Sequence, residues 1–140
     1  MTEFKKVFID TAPFIYYLEN SNQYFDKMIQ FFTNCCEKEI EIVTSVITVE
    51  EYLVYPYADK KTELIENFDK FIAYMKIKVV PIDEEIAKQG AKIRAKYKNF
   101  KAMDALQIAT AIKSDCDVFF TNDKQLRQEK ELPCITMDDL

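Results

Sequence analysis

The sequence predicts a three-layer α/β/α sandwich with a central, mainly parallel sheet of four or five strands, built as one domain over residues 1–140. Short apolar runs alternate along the chain with longer segments whose apolar residues recur at helical spacing, an order typical of parallel sheets with helical connections. The short runs are apolar at nearly every position, as in strands buried on both faces. Nearly half of the residues are apolar and only one is glycine, a composition typical of a helix-rich globular domain.

The chain opens with a strand, a turn and a helix. Residues 6–11 form a branched and aromatic run that predicts the first strand, and Asp10 lies where that strand ends. The next residues predict a helix through Leu18, because Pro13 suits a first turn in which its missing N–H would have no partner. Asp10 is therefore either a functional carboxylate at the end of a strand or only the cap of this helix.

A second helix, a strand and a third helix follow. Ser21 and Asn22 are expected to cap the second helix, and residues 41–44 predict the second strand. Residues 45–55 predict a helix that ends at Pro56. The second helix carries an apolar stripe for the core or for a partner, consisting of Tyr24, Phe25, Met28, Ile29, Phe32, Cys35 and Cys36.

The middle of the chain predicts two more helices and a strand. Asp59 is expected to begin a long amphipathic helix, and residues 78–82 predict the third strand. Asp83 is a good cap for the helix that runs to Tyr97. A basic loop follows, and it is either solvated surface or a nucleic-acid contact because positive charge and aromatic rings interleave there. The loop contains Lys96, Tyr97, Lys98, Phe100 and Lys101.

The last part of the chain completes the alternation. Residues 103–112 are apolar nearly all round and predict a helix buried against the sheet, with Asp104 near its start. Residues 117–121 predict the fourth strand, which leads to Asp123. A short helix and a last strand at residues 133–135 then close the chain.

Composition excludes several kinds of chemistry. The absence of histidine excludes Ser-His-Asp and Cys-His catalysis and zinc sites that need imidazole. Gly90 alone cannot form a glycine-rich phosphate loop or a dinucleotide-binding motif. The four cysteines form no C-x-x-C pair, so we expect buried thiols in a reducing compartment. Of the common kinds of catalytic chemistry, the composition still allows those that use carboxylates.

Charge and hydropathy indicate a cytoplasmic protein without a membrane partner. No apolar run approaches the roughly 20 residues that span a bilayer, and no signal-peptide pattern is present. The net charge of -5 gives no reason to expect non-specific binding to nucleic acid, because counterion release rewards basic surfaces. That argument weakens if several acids are gathered in one pocket around a metal ion.

Four carboxylates share one type of location, the junction where a strand gives way to a helix. In a doubly wound sheet these junctions lie along the same edge, so the four acids should converge. Converging carboxylates repel one another and raise one another's pKa unless a cation compensates them. Oxygen-only ligands without histidine favour Mg²⁺ or Mn²⁺. The four acids are Asp10, Glu51, Asp104 and Asp123.

Each acid also has a structural alternative. Asp10 and Asp123 are possible helix caps, and Asp104 suits a first turn because it meets the helix dipole. Thr48 and Glu51 have the spacing of a capping box, in which the glutamate would bond the threonine backbone. On the residues alone, the structural role is the better interpretation of Glu51.

The acidic segments resemble the four motifs of the PIN domain family, in the right order along the whole chain. By this resemblance the protein would be a Mg²⁺- or Mn²⁺-dependent ribonuclease similar to the VapC-type toxins of toxin-antitoxin systems, with a small antitoxin protein as partner and RNA as substrate. Asp10 and Asp104 would be the direct metal ligands, and Glu51 and Asp123 would complete the quartet. The matching segments are residues 8–15, 45–51, 104–111 and 120–123.

The resemblance leaves other positions open. Glu50 competes with Glu51, because the two side chains cannot both face the pocket, and the spacing from Ser45 favours Glu51. Three polar residues next to the acids are supporting residues or ordinary turn residues, Thr11, Thr121 and Asn122. Four cations are candidate RNA contacts, Lys98, Lys101, Lys124 and Arg127.

Two other functions and one surface are also predicted as alternatives. A receiver-like signalling module also gathers aspartates around Mg²⁺, but it needs a phosphoacceptor and a late lysine that are not clearly placed here. An inert PIN-fold binding protein is the third hypothesis. Aromatic residues of the first helices exceed what one core requires, which favours a homodimer or antitoxin surface. They are Tyr16, Tyr17, Tyr24, Phe31 and Phe32.

Overall fold

The computed structural model describes residues 3–20 and 23–140, and its centre is a parallel sheet in the order β3-β2-β1-β4-β5. Every neighbouring pair of strands is parallel. The predicted α/β sandwich is therefore confirmed, with five strands in the described residues. The strands are β1 (Lys6–Ile9), β2 (Glu41–Ser45), β3 (Lys78–Val80), β4 (Val118–Phe120) and β5 (Cys134–Ile135).

Helices cover both faces of the sheet. Those within the described residues are α1 (Thr11–Leu18), α2 (Phe25–Glu37), α3 (Val46–Ala58), α4 (Thr62–Tyr74), α5 (Glu84–Lys96) and α6 (Ala102–Lys113). Two short 3-10 helices follow β4 and β5, at Lys124–Gln128 and Met137–Asp139. The proposed capping residues of α2, Ser21 and Asn22, lie outside the described residues. Within those residues every helix is too short or too polar to span a bilayer.

Alternating side chains of β1 divide the core into two layers. Val7 and Ile9 face a cluster formed with α1 to α4, whereas Phe8 faces a cluster formed with α5 and α6. In the second layer the ring of Phe8 stacks on that of Phe119 from β4, with 5.2 Å between ring centroids. Since β1 is buried on both faces, its register against the neighbouring strands is strongly specified.

The aromatic residues of α1 and α2 belong to the first layer. Phe31 and Phe32 are each only 3% exposed, and the tyrosines at 16, 17 and 24 are partly buried against the same cluster. The expectation that these rings exceed the needs of one core is therefore wrong. One sheet face with four helices needs more aromatic volume than the sequence pattern suggested. The most exposed of the large apolar side chains lie elsewhere, at Val54, Tyr55, Tyr57 and Tyr74 on α3 and α4.

Two helix boundaries differ from the sequence prediction. Helix α3 continues past Pro56 to Ala58. The proline lies in the last turn with its side chain buried, so its missing N–H costs the helix one hydrogen bond near its end, and its carbonyl accepts from Lys61 N–H at 2.8 Å. Asp59 ends α3 instead of beginning α4, because its N–H donates to the last carbonyls of α3.

The four cysteines are free thiols, as expected, but they are not uniformly buried. Cys35 lies in the core, Cys36 is exposed, and the thiols at 116 and 134 are half-buried. Burial raises the pKa of Cys35 to about 12, so this thiol is a poor nucleophile at neutral pH.

Replacing Phe8 tests the second core layer. Phe8→Ala is expected to lower the free energy of unfolding by about 3–5 kcal/mol, because a fully buried ring and its stack on Phe119 are lost. Urea unfolding measures the change. Tyr74→Ala is the control, since a side chain that is 80% exposed should change stability by only about 0.5 kcal/mol or less. If Phe8→Ala lowers the free energy of unfolding as little as the control does, Phe8 does not pack in this core layer as described.

Candidate active site

Asp10 lies at the end of the central strand, where the strand order reverses between β1 and β4. Its Oδ1 accepts from the Thr11 N–H at 2.8 Å, which makes Asp10 the cap of α1. The cap accounts for only part of its bonding, because Oδ2 accepts from the Thr121 hydroxyl at 2.8 Å and Oδ1 also accepts from Gln107 Nε2 at 3.3 Å. Side chains from two other elements thus hold the Asp10 carboxylate.

Burial raises the pKa of Asp10 above its ordinary value of 3.8. The hydrogen bonds from Thr11, Thr121 and Gln107 act in the opposite direction, because they favour the ionised form. The charge of Asp123 raises the pKa further. The ionised carboxylate is therefore held in the protein next to another acid, an arrangement that costs stability and is typical of functional sites.

Glu51 reaches the same edge from α3. Ser45 is the cap of this helix, because its Oγ accepts from the Ile47 N–H at 3.0 Å. Thr48 consequently lies inside the helix, and the prediction of a capping box formed by Thr48 and Glu51 is wrong. Glu51 Oε1 instead accepts from the Thr11 hydroxyl at 2.6 Å. This contact is made by Glu51 and not by Glu50, in agreement with the spacing from Ser45.

Asp104 lies in the first turn of α6, where its charge is coupled to those of the other acids. Its pKa rises from 3.8 to about 6, first through burial and then through the charges of Asp10, Asp123 and Glu51. Lys101, which precedes the helix, lowers it. Coulombic effects of this kind fall off with distance, so Asp10, Asp123 and Glu51 each lie within range of the Asp104 charge.

The segment after β4 provides the remaining polar groups. Thr121 donates to Asp10 through its hydroxyl, and the same oxygen accepts from the Asp123 N–H at 3.1 Å. Asp123 caps the first 3-10 helix, because its Oδ1 accepts from the Gln125 N–H at 3.0 Å. The Asn122 amide donates to the Tyr16 hydroxyl at 2.8 Å and so fixes this segment to α1.

The predicted cations fall into two groups. Lys98 and Lys101 are exposed at the start of α6. Lys124 and Arg127 form ion pairs with the second 3-10 helix, through Asp138 at 2.5 Å and Asp139 at 2.7 Å. Arg127 also donates to Thr136 Oγ at 2.9 Å, so it connects the two 3-10 helices.

The donor groups at this edge suit a hard divalent cation. Carboxylate and hydroxyl oxygens are the ligands that Mg²⁺ and Mn²⁺ prefer. Within the described residues, none of the four carboxylates forms a salt bridge with a lysine or arginine, so their negative charge has no strong protein partner. In residues 3–20 and 23–140, no three acidic or cysteine side chains are gathered closely enough to hold one ion in this conformation.

Gln107 is a member of the site that the sequence reasoning did not single out. Its side chain is 1% exposed, and it contacts both Asp10 and Thr48. A signal was present, because a lone amide in an otherwise apolar helix must find hydrogen-bond partners inside the protein. Which partners it finds depends on residues from other parts of the chain.

The sequence matches a known family over most of its length. Residues 7–131 match the family model described as the PIN domain. No protein in the search of curated proteins matches. The match gives no support to a receiver-like signalling module.

Solved structures share the fold at low sequence identity. VapBC2 from Rickettsia felis, bound to a promoter DNA fragment, has a TM-score of 0.72 at 15% identity and covers 94% of this chain and 98% of its own. DNA-bound VapBC from Salmonella typhimurium has a TM-score of 0.70 at 18% identity, with coverages of 94% and 98%. VapC20 from Mycobacterium tuberculosis, a toxin that cleaves the sarcin-ricin loop, has a TM-score of 0.70 at 12% identity, with coverages of 91% and 98%.

Removing the Asp104 charge should stabilise the protein. Because the folded-state pKa of about 6 exceeds the ordinary value of 3.8, the ionised carboxylate disfavours the folded state. Asp104→Asn is therefore expected to raise the free energy of unfolding above about pH 6, and the gain should disappear below about pH 4, where both states are protonated. Since Asp104 is partly exposed, solvent screening limits the gain to the order of 1 kcal/mol.

Urea unfolding in EDTA at about pH 8 and about pH 4 measures this difference. Asp69→Asn, an exposed aspartate on α4, is the matched control and should show no such pH dependence. A loss of stability in Asp104→Asn at about pH 8 would contradict the repulsion described here.

Proposed function

The chain belongs to the PIN domain family, and on that premise we propose that it is a Mg²⁺- or Mn²⁺-dependent endoribonuclease that acts as the toxin of a type II toxin-antitoxin pair. The observation that carries this proposal is that Asp104 lies where the charges of Asp10, Asp123 and Glu51 act on it, although these four acids come from four separate parts of the chain. Carboxylates that raise one another's pKa cost stability, and groups perturbed in this way cluster at functional sites.

The proposed metal ligands are Asp10 and Asp104, with Glu51 and Asp123 completing the quartet. When bound, a divalent cation supplies positive charge that neutralises the phosphodiester and lowers the pKa of a water molecule. A carboxylate of the quartet that is not bound to the metal, Glu51 or Asp123, would orient the attacking water. Removing any one of these carboxylates should cost activity more than it costs stability.

Three polar side chains support the acids in this proposal. Thr121 donates to Asp10 and Thr11 donates to Glu51, so each hydroxyl fixes the direction of a carboxylate. Asn122 acts less directly, since its amide holds the segment after β4 against Tyr16. These contacts pre-organise the carboxylates before RNA binds.

RNA is proposed to approach over the loop before α6. Lys98 and Lys101 are exposed there, and the charge of Lys101 acts on Asp104, so the loop and the acids lie at the same edge. Lys124 and Arg127 contribute less, because Asp138 and Asp139 already neutralise them.

A small antitoxin protein, a homodimer and a cytoplasmic location complete the proposal. Structural neighbours from Rickettsia felis and Salmonella typhimurium are VapBC complexes, which supports an antitoxin partner for this chain. A second copy would cover apolar side chains that are exposed on α3 and α4 in the single chain, namely Val54, Tyr55, Tyr57 and Tyr74.

Two substitutions test the ribonuclease. Asp10→Asn and Asp104→Asn are each expected to lower cleavage of total RNA in Mg²⁺ or Mn²⁺ on the order of 100-fold, while the circular dichroism spectrum stays the same. Asp69→Asn is the matched control and should cleave like the wild type. Cleavage at the wild-type rate by either site variant would refute the role of the carboxylates.

If the chain is instead an inert PIN-fold binding protein, the same cleavage measurements give a different result for the wild type. In that case the wild type itself neither cleaves RNA nor takes up Mn²⁺ in isothermal titration calorimetry.

The RNA path is tested by a pair of lysine substitutions in the cleavage-deficient Asp10→Asn background. Lys98→Ala with Lys101→Ala is expected to weaken RNA binding and to reduce the slope of log affinity against log salt by roughly 0.7 per lysine. Lys70→Ala, an exposed lysine on α4, is the control. Lys124→Ala and Arg127→Ala should have smaller effects. An unchanged slope in the double variant would mean that RNA binds elsewhere.

A further inference from the structure

Gln107 is buried among the elements that carry the acids. It lies on α6, three residues after Asp104, and is 1% exposed. Its Oε1 accepts from the Ser45 hydroxyl, and its Nε2 donates to Thr48 Oγ at 2.7 Å and to Asp10 Oδ1 at 3.3 Å. Both N–H groups of the amide and its oxygen therefore have partners.

The orientation of this amide is determined by its surroundings. Ser45 Oγ accepts from the Ile47 N–H as the cap of α3, so its own hydrogen is available to Gln107 Oε1. The opposite orientation would turn Oε1 towards the Asp10 carboxylate, and two acceptors would then face each other. The N–H side is therefore held towards Asp10.

The contacts continue from Gln107 towards Glu51. Thr48 Oγ lies 3.5 Å from Thr11 Oγ, and the Thr11 hydroxyl donates to Glu51 Oε1 at 2.6 Å. One series of polar contacts thus connects α6 and α3 with both Asp10 and Glu51. Because the series is buried at Gln107 and Thr48, a lost member leaves partners that water does not readily satisfy.

We propose that Gln107 is a positioning residue that holds the Asp10 carboxylate, and through Thr48 and Thr11 the Glu51 carboxylate, in the orientation that binds a divalent cation. This inference rests on the proposed metal-dependent function. A neutral amide suits the task, because it supports an ionised carboxylate without adding a positive charge that would compete with the metal ion. A lysine or arginine in its place would neutralise the site instead.

The first test is Mn²⁺ binding to the RNA-free protein, measured by isothermal titration calorimetry. Gln107→Met keeps most of the side-chain volume and removes the amide. It is expected to weaken Mn²⁺ binding about 10- to 100-fold, the usual range for a residue that orients a metal ligand. Thr110→Val is the matched control, because Thr110 is buried on the same helix and donates only to the Leu106 carbonyl at 2.7 Å. Its Mn²⁺ affinity should equal that of the wild type.

The second test separates positioning from a general loss of structure. If Gln107 acts by orienting metal ligands, RNA cleavage by Gln107→Met should recover when the Mn²⁺ concentration is raised by the same factor as the loss of affinity. A variant that is merely unfolded does not recover. Should Gln107→Met fail to fold, Gln107→Leu removes the amide with a differently shaped apolar side chain of similar volume, and it is expected to weaken Mn²⁺ binding as well.

The outcomes distinguish the two proposals. Wild-type protein that binds no Mn²⁺ and cleaves no RNA would refute the proposed function, and this inference with it. Wild-type protein that binds Mn²⁺, together with a folded Gln107 variant of equal affinity, would refute the role of Gln107 alone.

Discussion

The parallel pairing of β1 with β4 is the constraint on which the site depends. Ile9 pairs with Phe120, and the Asp10 N–H donates to the Phe120 carbonyl at 2.9 Å. The first residues beyond the two strands, Asp10 and Thr121, are therefore neighbours that hydrogen-bond through their side chains. A slip of one residue would turn the apolar faces of both strands over and separate these two polar groups, so the core itself fixes the carboxylate.

Repulsion within the acidic group acts against this arrangement. Burial and neighbouring negative charges raise the pKa of Asp104 to about 6, which means that its ionised form is held at a cost in stability. The compensating free energy comes from the two apolar layers, in which rings such as Phe8 and Phe119 are completely or almost completely buried. Side chains within the strands thus supply stability, and residues outside the strands supply the acidic site.

Much of the fold was predictable because its signals are local. Apolar runs and helical spacing identify the strands and helices, and the doubly wound topology then predicts that Asp10, Glu51, Asp104 and Asp123 lie at one edge. Roles that depend on residues far away in the sequence were predicted wrongly, as for Thr48, or not predicted at all, as for Gln107. Thr48 is three residues from Glu51 and matched a capping box, but Ser45 caps the helix. Gln107 depends on Ser45 and Thr48, which lie 62 and 59 residues away.

The sheet ends in very short strands on both sides, with β3 of three residues and β5 of two. The unpaired backbone groups of an edge strand can pair with a strand from another chain, and long flat edge strands lead to fibrous aggregates. Edge strands of only two or three residues offer very few backbone groups with which a strand from another chain could pair. A protein with an aromatic-rich interior is thereby protected against self-templating polymerisation, at concentrations where an exposed long strand would nucleate it.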